Sequence, residues 1–325
     1  MRFSFALLFV GLEVAAHAAP NPPDAAAYRA LVEQDLRLAS VGYRLASANA
    51  PYCDRKERNP GWVIHDVAQY PDQAVARAAF GFQTPIEIAA IVKDGPADRA
   101  DAKAGDGFVS VNNAKLDWPA MPVGKTGYER IAKFKQMLAE KLAENASLAV
   151  KLSRKGADVN LMLAAPLICV SEFQIDTADG LDAGADGQIV RITYSMMRYA
   201  TDDAELAAVV AHELSHNLLR HREKLNAKRV DRGLGRLFGK SRKAILATEI
   251  EADRLSVWLM RNAGYDPKAA LTFWGRYGRQ YGQGIFTEGT HLRWQKRVAL
   301  MQAEIDLMTN TGKQNRLLPP PLLVN

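Results

Sequence analysis

The chain has 325 residues, 48% of them hydrophobic and 24% charged, with a mean hydropathy of -0.18 and two cysteines. Such a balance suits soluble globular domains and excludes a disordered chain, a collagen-like repeat and a disulfide-dense miniprotein. Of the formal charge of +6, a local balance of +8 lies between Arg220 and Lys243, where ten Lys or Arg face only Glu223 and Asp231, which leaves -2 elsewhere. No Cys/His finger, RNP-like aromatic strand or heptad run accompanies that stretch, so nucleic acid is not an expected partner.

In chain order, Met1-Arg2, the apolar run Phe3 to Ala16 and the small residues around Ala18 fit the charged, apolar and cleavage parts of a secretory signal. Residues 1–18 are therefore expected to be a signal peptide and the remainder an exported protein. No cysteine follows the small residues, so lipid attachment is not indicated. In an oxidising compartment Cys53 and Cys169 have one possible intrachain partner each, and the alternative is two buried thiols. Residues 19–75 read as a helical segment and linker, with a helix from Asp24 to Ala46 and a polar, Pro-containing stretch from Ala50 to Gly61.

Residues 76–165 read as a second, β-rich unit. Strands are expected at Pro85 to Val92, Gly107 to Val111, Leu148 to Leu152 and Val159 to Leu163, with a helix from Tyr128 to Glu144. The run Ile91-Val92-Lys93-Asp94-Gly95-Pro96-Ala97-Asp98-Arg99-Ala100, then Ala104-Gly105-Asp106 and Val109-Ser110-Val111-Asn112, resembles the core of bacterial PDZ domains. Phe80-Gly81-Phe82 is similar to the carboxylate-binding loop of such domains, while Asp101-Ala102 stands where they usually have Gly-Leu. The resemblance implies a C-terminal peptide ligand held by strand addition; the alternative is a spacer.

Residues 166–310 carry the chemistry. The helical pattern from Asp203 to Arg222, with Leu206, Val209, Val210, Leu214 and Leu218 on its apolar positions, contains His212-Glu213-Leu214-Ser215-His216. Histidines four apart share a helix face and reach one metal, leaving Glu213 beside the open coordination position. A third ligand is needed. Leu219 and Arg222 exclude the pattern that places a third histidine further along the same segment, and His221, about 140° around a continuous helix from His216, suits a brace at the helix end. A second helix, expected from Lys243 to Arg261, carries Glu249 and Asp253 four apart. By spacing, either carboxylate serves as the ligand with the other behind a ligand histidine. Glu251 points elsewhere, towards the face of Leu255 and Trp258.

The motif, the Glu249 to Asp253 spacing, Thr290-His291 with Arg297, and Asp182-Ala183-Gly184-Ala185-Asp186-Gly187-Gln188-Ile189-Val190 resemble one family of gluzincin metallopeptidases. It is the family of the HtpX-type heat-shock protease, the CAAX prenyl endopeptidase and periplasmic BepA. The resemblance spans about Ile175 to Leu300. It implies one Zn2+ on His212, His216 and Glu249, Glu213 as general base, Asp253 behind a histidine and Arg297 beside it. His291 is either catalytic, near the metal or the reacting carbonyl, or a loop-packing residue. Asp182 and Leu292 replace the family's usual Asn and Pro.

The fold class expected is α+β, a mainly helical catalytic domain with a small sheet behind the PDZ-like unit. By that resemblance the expected function is hydrolysis of unfolded or misassembled polypeptides in a bacterial periplasm, laid extended along an edge strand at Gln188, Ile189 and Val190. The alternative is a chaperone-like peptide binder with a structural or self-inhibited zinc site. The basic stretch 220–243 suits a solvated loop, a flap, or contact with an anionic membrane surface. The Pro-rich tail 311–325 is either flexible or docked.

Overall fold

The computed structural model describes residues 24–118, 127–231, 239–282, 292–310 and 317–324. The expected signal peptide, His291 and residues 232–238 of the basic stretch lie outside the described residues. The fold is α+β. No described helix is long and apolar enough to cross a membrane.

The first helix, α1 (Ala25–Ala48), starts where the Asp24 side chain accepts the Ala27 N–H. A short strand β1 (Lys56–Arg58) follows, then β2 (Trp62–Asp66), α2 (Gln73–Phe80), β3 (Ile86–Ile91), the single turn α3 (Pro96–Arg99), β4 (Gly107–Val111) and β5 (Ala114–Lys115). Helix α4 (Tyr128–Glu144) precedes the hairpin β6 (Ser147–Arg154) and β7 (Ala157–Ala164). Strands β2-β3-β4-β6-β7 form one sheet in that order, with β5 on β4. Its core joins Ile64, Ile86, Ile88, Phe108, Leu148, Leu152 and Leu163 to Ile131, Phe134, Leu138 and Leu142 of α4. Burying each such side chain contributes about 1.5–3 kcal/mol.

The sheet therefore begins at Trp62, before the boundary at residue 76 expected from sequence. Strand β2 is five residues long and mixes Trp62, His65 and Asp66 among its apolar positions, so its local pattern is weak; pairing with β3 far along the chain defines it.

The second body starts at β8 (Leu167–Cys169), paired antiparallel with β1. Then come β9 (Glu172–Asp176), β10 (Ala183–Ala185), β11 (Ile189–Thr193), α5 (Tyr194–Tyr199), α6 (Asp203–Leu218), α7 (His221–Ala227), α8 (Gly239–Asn262), α9 (Lys268–Tyr281) and α10 (Trp294–Asn310). Helix α6 is buried nearly all round by Ala and Val of its own and by α8 and α9, which makes it a central helix. Leu38, Val41 and Leu45 of α1 belong to this same core, so the N-terminal segment packs into the second body instead of standing apart.

Cys53 and Cys169 form a disulfide with a Cα–Cα distance of 5.5 Å, beside Ala46 and Ile168. The C-terminal residues dock: Asn262 Nδ2 donates to Leu318 O at 2.9 Å, and Leu318 N–H donates to Asn262 Oδ1 at 2.8 Å.

Candidate metal centre

Helix α6 is fixed from both ends. At its start the Asp202 side chain accepts the Glu205 N–H at 2.8 Å, and Arg276 holds the Glu205 carboxylate, with Nη2 2.7 Å from Oε2. At its end the helix stops at Leu218 instead of running on to Arg222, because Arg220 takes a left-handed conformation (φ 56°) and α7 restarts at His221. Nothing in Leu219-Arg220-His221 marks that break in the sequence, since the left-handed conformation is usually left to Gly or Asn.

The motif places His212 and His216 one turn apart with their rings 5.0 Å between centroids. Helix α8 packs across α6 and delivers Glu249. His212 Nε2 lies 3.3 Å from His216 Nε2 and 3.2 Å from Glu249 Oε2, and His216 Nε2 lies 3.6 Å from the same oxygen. Ligands about 2.0–2.1 Å from a tetrahedral zinc are separated by roughly 3.3–3.4 Å. The three side chains therefore fit one small tetrahedral ion. Glu213, at 8% exposure, sits between the two histidines in the motif and is not part of the triangle.

The spacing argument left Glu249 and Asp253 interchangeable; the structure separates them. Asp253 Oδ1 lies 2.9 Å from His212 Nδ1, the nitrogen turned away from the triangle, and accepts from Arg297 Nε at 2.7 Å. Arg297 in turn lies over the Trp274 ring at 3.4 Å from its centroid. Trp274 went unnoticed in the sequence because an aromatic on an amphipathic helix reads as core. With Asp253 accepting, His212 keeps its proton on Nδ1 and presents Nε2 to a metal.

Burial and the Arg297 charge both oppose a second proton on His212, yet the hydrogen bonds to Asp253 and Glu249 outweigh them and raise its pKa to about 9. Burial pushes the Asp253 pKa up, but Arg297 and His212 prevail and hold it below the ordinary carboxylate range. His221 behaves as a brace. Its Nδ1 faces His216 Nδ1 at 3.0 Å and its Nε2 faces Glu251 Oε2 at 3.0 Å. Burial first, then the neighbouring His216, lowers its pKa to about 4.

The edge strand is corrected. Gln188 precedes β11, and β11, which holds Ile189 and Val190, is the middle strand of the sheet β10-β11-β9, bonded on both sides. The sheet's edge strands are β9 and β10, and β10, Ala183-Gly184-Ala185, lies beyond β11 on the side away from β9. Thr193 N–H donates to Asp182 O and Asp186 N–H to Ile189 O, so alternate residues 182, 184 and 186 turn to β11. Ala183 and Ala185 consequently turn their backbone outward, although the Ala183 N–H is met by Asp182 Oδ1 at 2.9 Å. Alternation of apolar residues marked β11 as a strand but carries no information about its neighbours. The turn between β10 and β11 is tied to the motif helix by Asn217, whose Oδ1 accepts the Gly187 N–H at 2.7 Å and whose Nδ2 donates to Ser171 Oγ at 3.1 Å.

In the first body, β3, the strand that follows Phe80-Gly81-Phe82, is already paired with the chain's own β2, from Trp62 opposite Ile91 to Asp66 opposite Ile86. Asp66 is buried and held by Arg130 of α4, with Nη2 2.5 Å from Oδ1. After Phe80-Gly81-Phe82, the N–H groups of Gln83 and Thr84 both donate to Glu87 Oε1. A peptide adding to β3 would have to displace β2.

Comparison with curated proteins found no match. The model of Peptidase family M48 matches residues 173–235, a stretch that runs from β9 through β10, β11 and α6 and contains His212, Glu213 and His216 but ends before Glu249. This part of the chain, with the motif histidines brought together with a third ligand at metal-binding distances, is similar to the M48 metallopeptidases.

Proposed function

We propose that this chain is an exported zinc endopeptidase acting on extended or unfolded polypeptide, with zinc held by His212, His216 and Glu249. The observation that carries the reading is the triangle of ligand atoms, 3.2, 3.3 and 3.6 Å on its sides, with Glu213 left out of it. Held by His212, His216 and Glu249, a zinc ion would supply Lewis-acid chemistry, acidifying a water and polarising a carbonyl. Glu213 takes the proton of the attacking water and returns it to the leaving amine. Asp253 and Arg297 keep His212 in the tautomer that presents Nε2. Strand β10 offers outward backbone groups at Ala183 and Ala185 to an extended substrate, a recognition mode that reads little side-chain sequence and suits unfolded clients. The disulfide agrees with an oxidising compartment. Because the β3 edge is filled from within the chain, catalysis is preferred over peptide capture as the function.

The test compares the wild-type chain with Glu213→Gln for bound zinc and for chelator-sensitive cleavage of casein. The expected result is equal zinc in both, with cleavage only in the wild type. Zinc in both and cleavage in neither returns the non-catalytic alternative; loss of zinc from Glu213→Gln removes the base assignment.

A further inference from the structure

The two motif histidines are braced differently. His212 leans on Asp253, as the spacing of the acids on α8 allows. Among the described residues no carboxylate lies against His216 Nδ1; that nitrogen faces His221 Nδ1 at 3.0 Å, and the far side of His221, Nε2, faces Glu251 Oε2 at 3.0 Å. The His221 ring is 1% exposed and stands nearly perpendicular to His216, 80° between planes. On a continuous helix His221 would point about 140° away from His216. The left-handed Arg220 undoes that, folding the chain so that the ring returns over the end of α6. A non-glycine residue held in this conformation persists only where the surroundings over-determine it.

We infer that His221 and Glu251 are positioning residues for His216, forming a two-step relay that fixes its tautomer and ring orientation for metal binding. The hydrogen bonds admit one consistent assignment. A His216 that offers Nε2 to a metal carries its proton on Nδ1 and donates it to the His221 Nδ1 lone pair. His221 then carries its own proton on Nε2 and donates to the Glu251 carboxylate. All three acids of α8 thus serve the site from two sides: Glu249 as ligand, Asp253 behind His212, and Glu251 behind His216 through His221. The inference rests on the metal-site reading above, but not on what the enzyme cleaves.

The test measures zinc affinity by competition with a chromogenic chelator, and the visible absorption bands of the cobalt(II)-loaded protein, for the full-length chain. His221→Leu removes the acceptor and is expected to weaken zinc binding about 10- to 100-fold and to shift the cobalt bands. His221→Asn, whose Oδ1 takes the place of Nδ1, is expected to restore most of the affinity and the wild-type spectrum. Glu251→Ala, at a partly exposed position that burdens folding little, is expected to weaken zinc about tenfold. A His221→Leu protein with wild-type affinity and spectrum overturns the relay, as does a Glu251→Ala protein with unchanged affinity if the Leu variant fails to fold. A brace that serves only the fold would lower the melting temperature without moving the cobalt bands, and that outcome also overturns it. A wild-type chain that binds neither metal overturns the peptidase reading itself.

Discussion

His212 accepts a metal through Nε2 only after giving up the proton that Glu249 faces there, while Asp253 keeps the one on Nδ1. With its pKa raised to about 9, the protonated form prevails at neutral pH before metal binds. The sign follows directly: metal displaces a proton, so apparent zinc affinity rises with pH up to about 9 and falls by about tenfold for each unit below it, as one competing proton requires. Chelator competition at a series of pH values checks this, and an affinity flat between pH 6 and 8 would contradict the raised pKa. Asp253→Asn tests the other half of the same pair. The amide keeps the shape but loses the charge that holds His212 in place, and zinc affinity is expected to fall about 10- to 100-fold. Glu249→Ala, which removes a ligand outright, should lower it further than either Asp253→Asn or Glu251→Ala.

Between elements, the site is a contact of α6 with α8, and how much of it was legible depended on whether the information was local. The motif on α6 and the Glu249 to Asp253 spacing on α8 are repeats of one helical turn, so both helices and their functional faces could be read from the sequence. Which acid ligates could not, because it depends on how α8 crosses α6. The same limit moved the edge strand. Residues Gln188 to Val190 read as a strand, yet β11 is interior and the three-residue β10, too short and too rich in Ala and Gly to stand out, is an edge strand. A substitution there separates binding from chemistry. The Ala185 N–H faces outward, so Ala185→Pro removes a donor without breaking a ladder bond, which edge strands tolerate. If substrate pairs with β10, KM rises about 2- to 10-fold, as the loss of one hydrogen bond worth about 0.5–1.5 kcal/mol implies, with zinc affinity unchanged. Unaltered KM would place the substrate elsewhere.

Across the whole molecule, the disulfide closes a loop that contains the entire first body. Cys53 and Cys169 are 116 residues apart, and between them lies every strand of the large sheet. Opening the link leaves the two bodies joined by the β1 and β8 pair, by α1, which packs against both, and by Lys135 with Glu172. The bond also sits against the end of the motif helix: Cys53 and Cys169 pack with Ala46, Ile168 and Leu218, and Arg55, two residues on, donates to Gly187 O at 3.1 Å and Asn217 O at 3.3 Å. A cross-link over a loop of this length removes enough chain entropy from the unfolded state to contribute about 2–5 kcal/mol. The paired variant Cys53→Ser with Cys169→Ser is therefore expected to unfold at lower denaturant concentration by that amount. Both cysteines are buried, at 5% and 0% exposure, so reductant should act slowly on the native wild type and quickly once denaturant opens it. Because Arg55 and Asn217 hold the β10 and β11 turn to α6 without help from sulfur, the variant that remains folded should keep its zinc affinity. A double variant as stable as wild type would mean that the rest of the β1 and β8 contact already confines the loop. One that loses zinc while still folded would mean that the link, and not Asn217, sets the end of the motif helix.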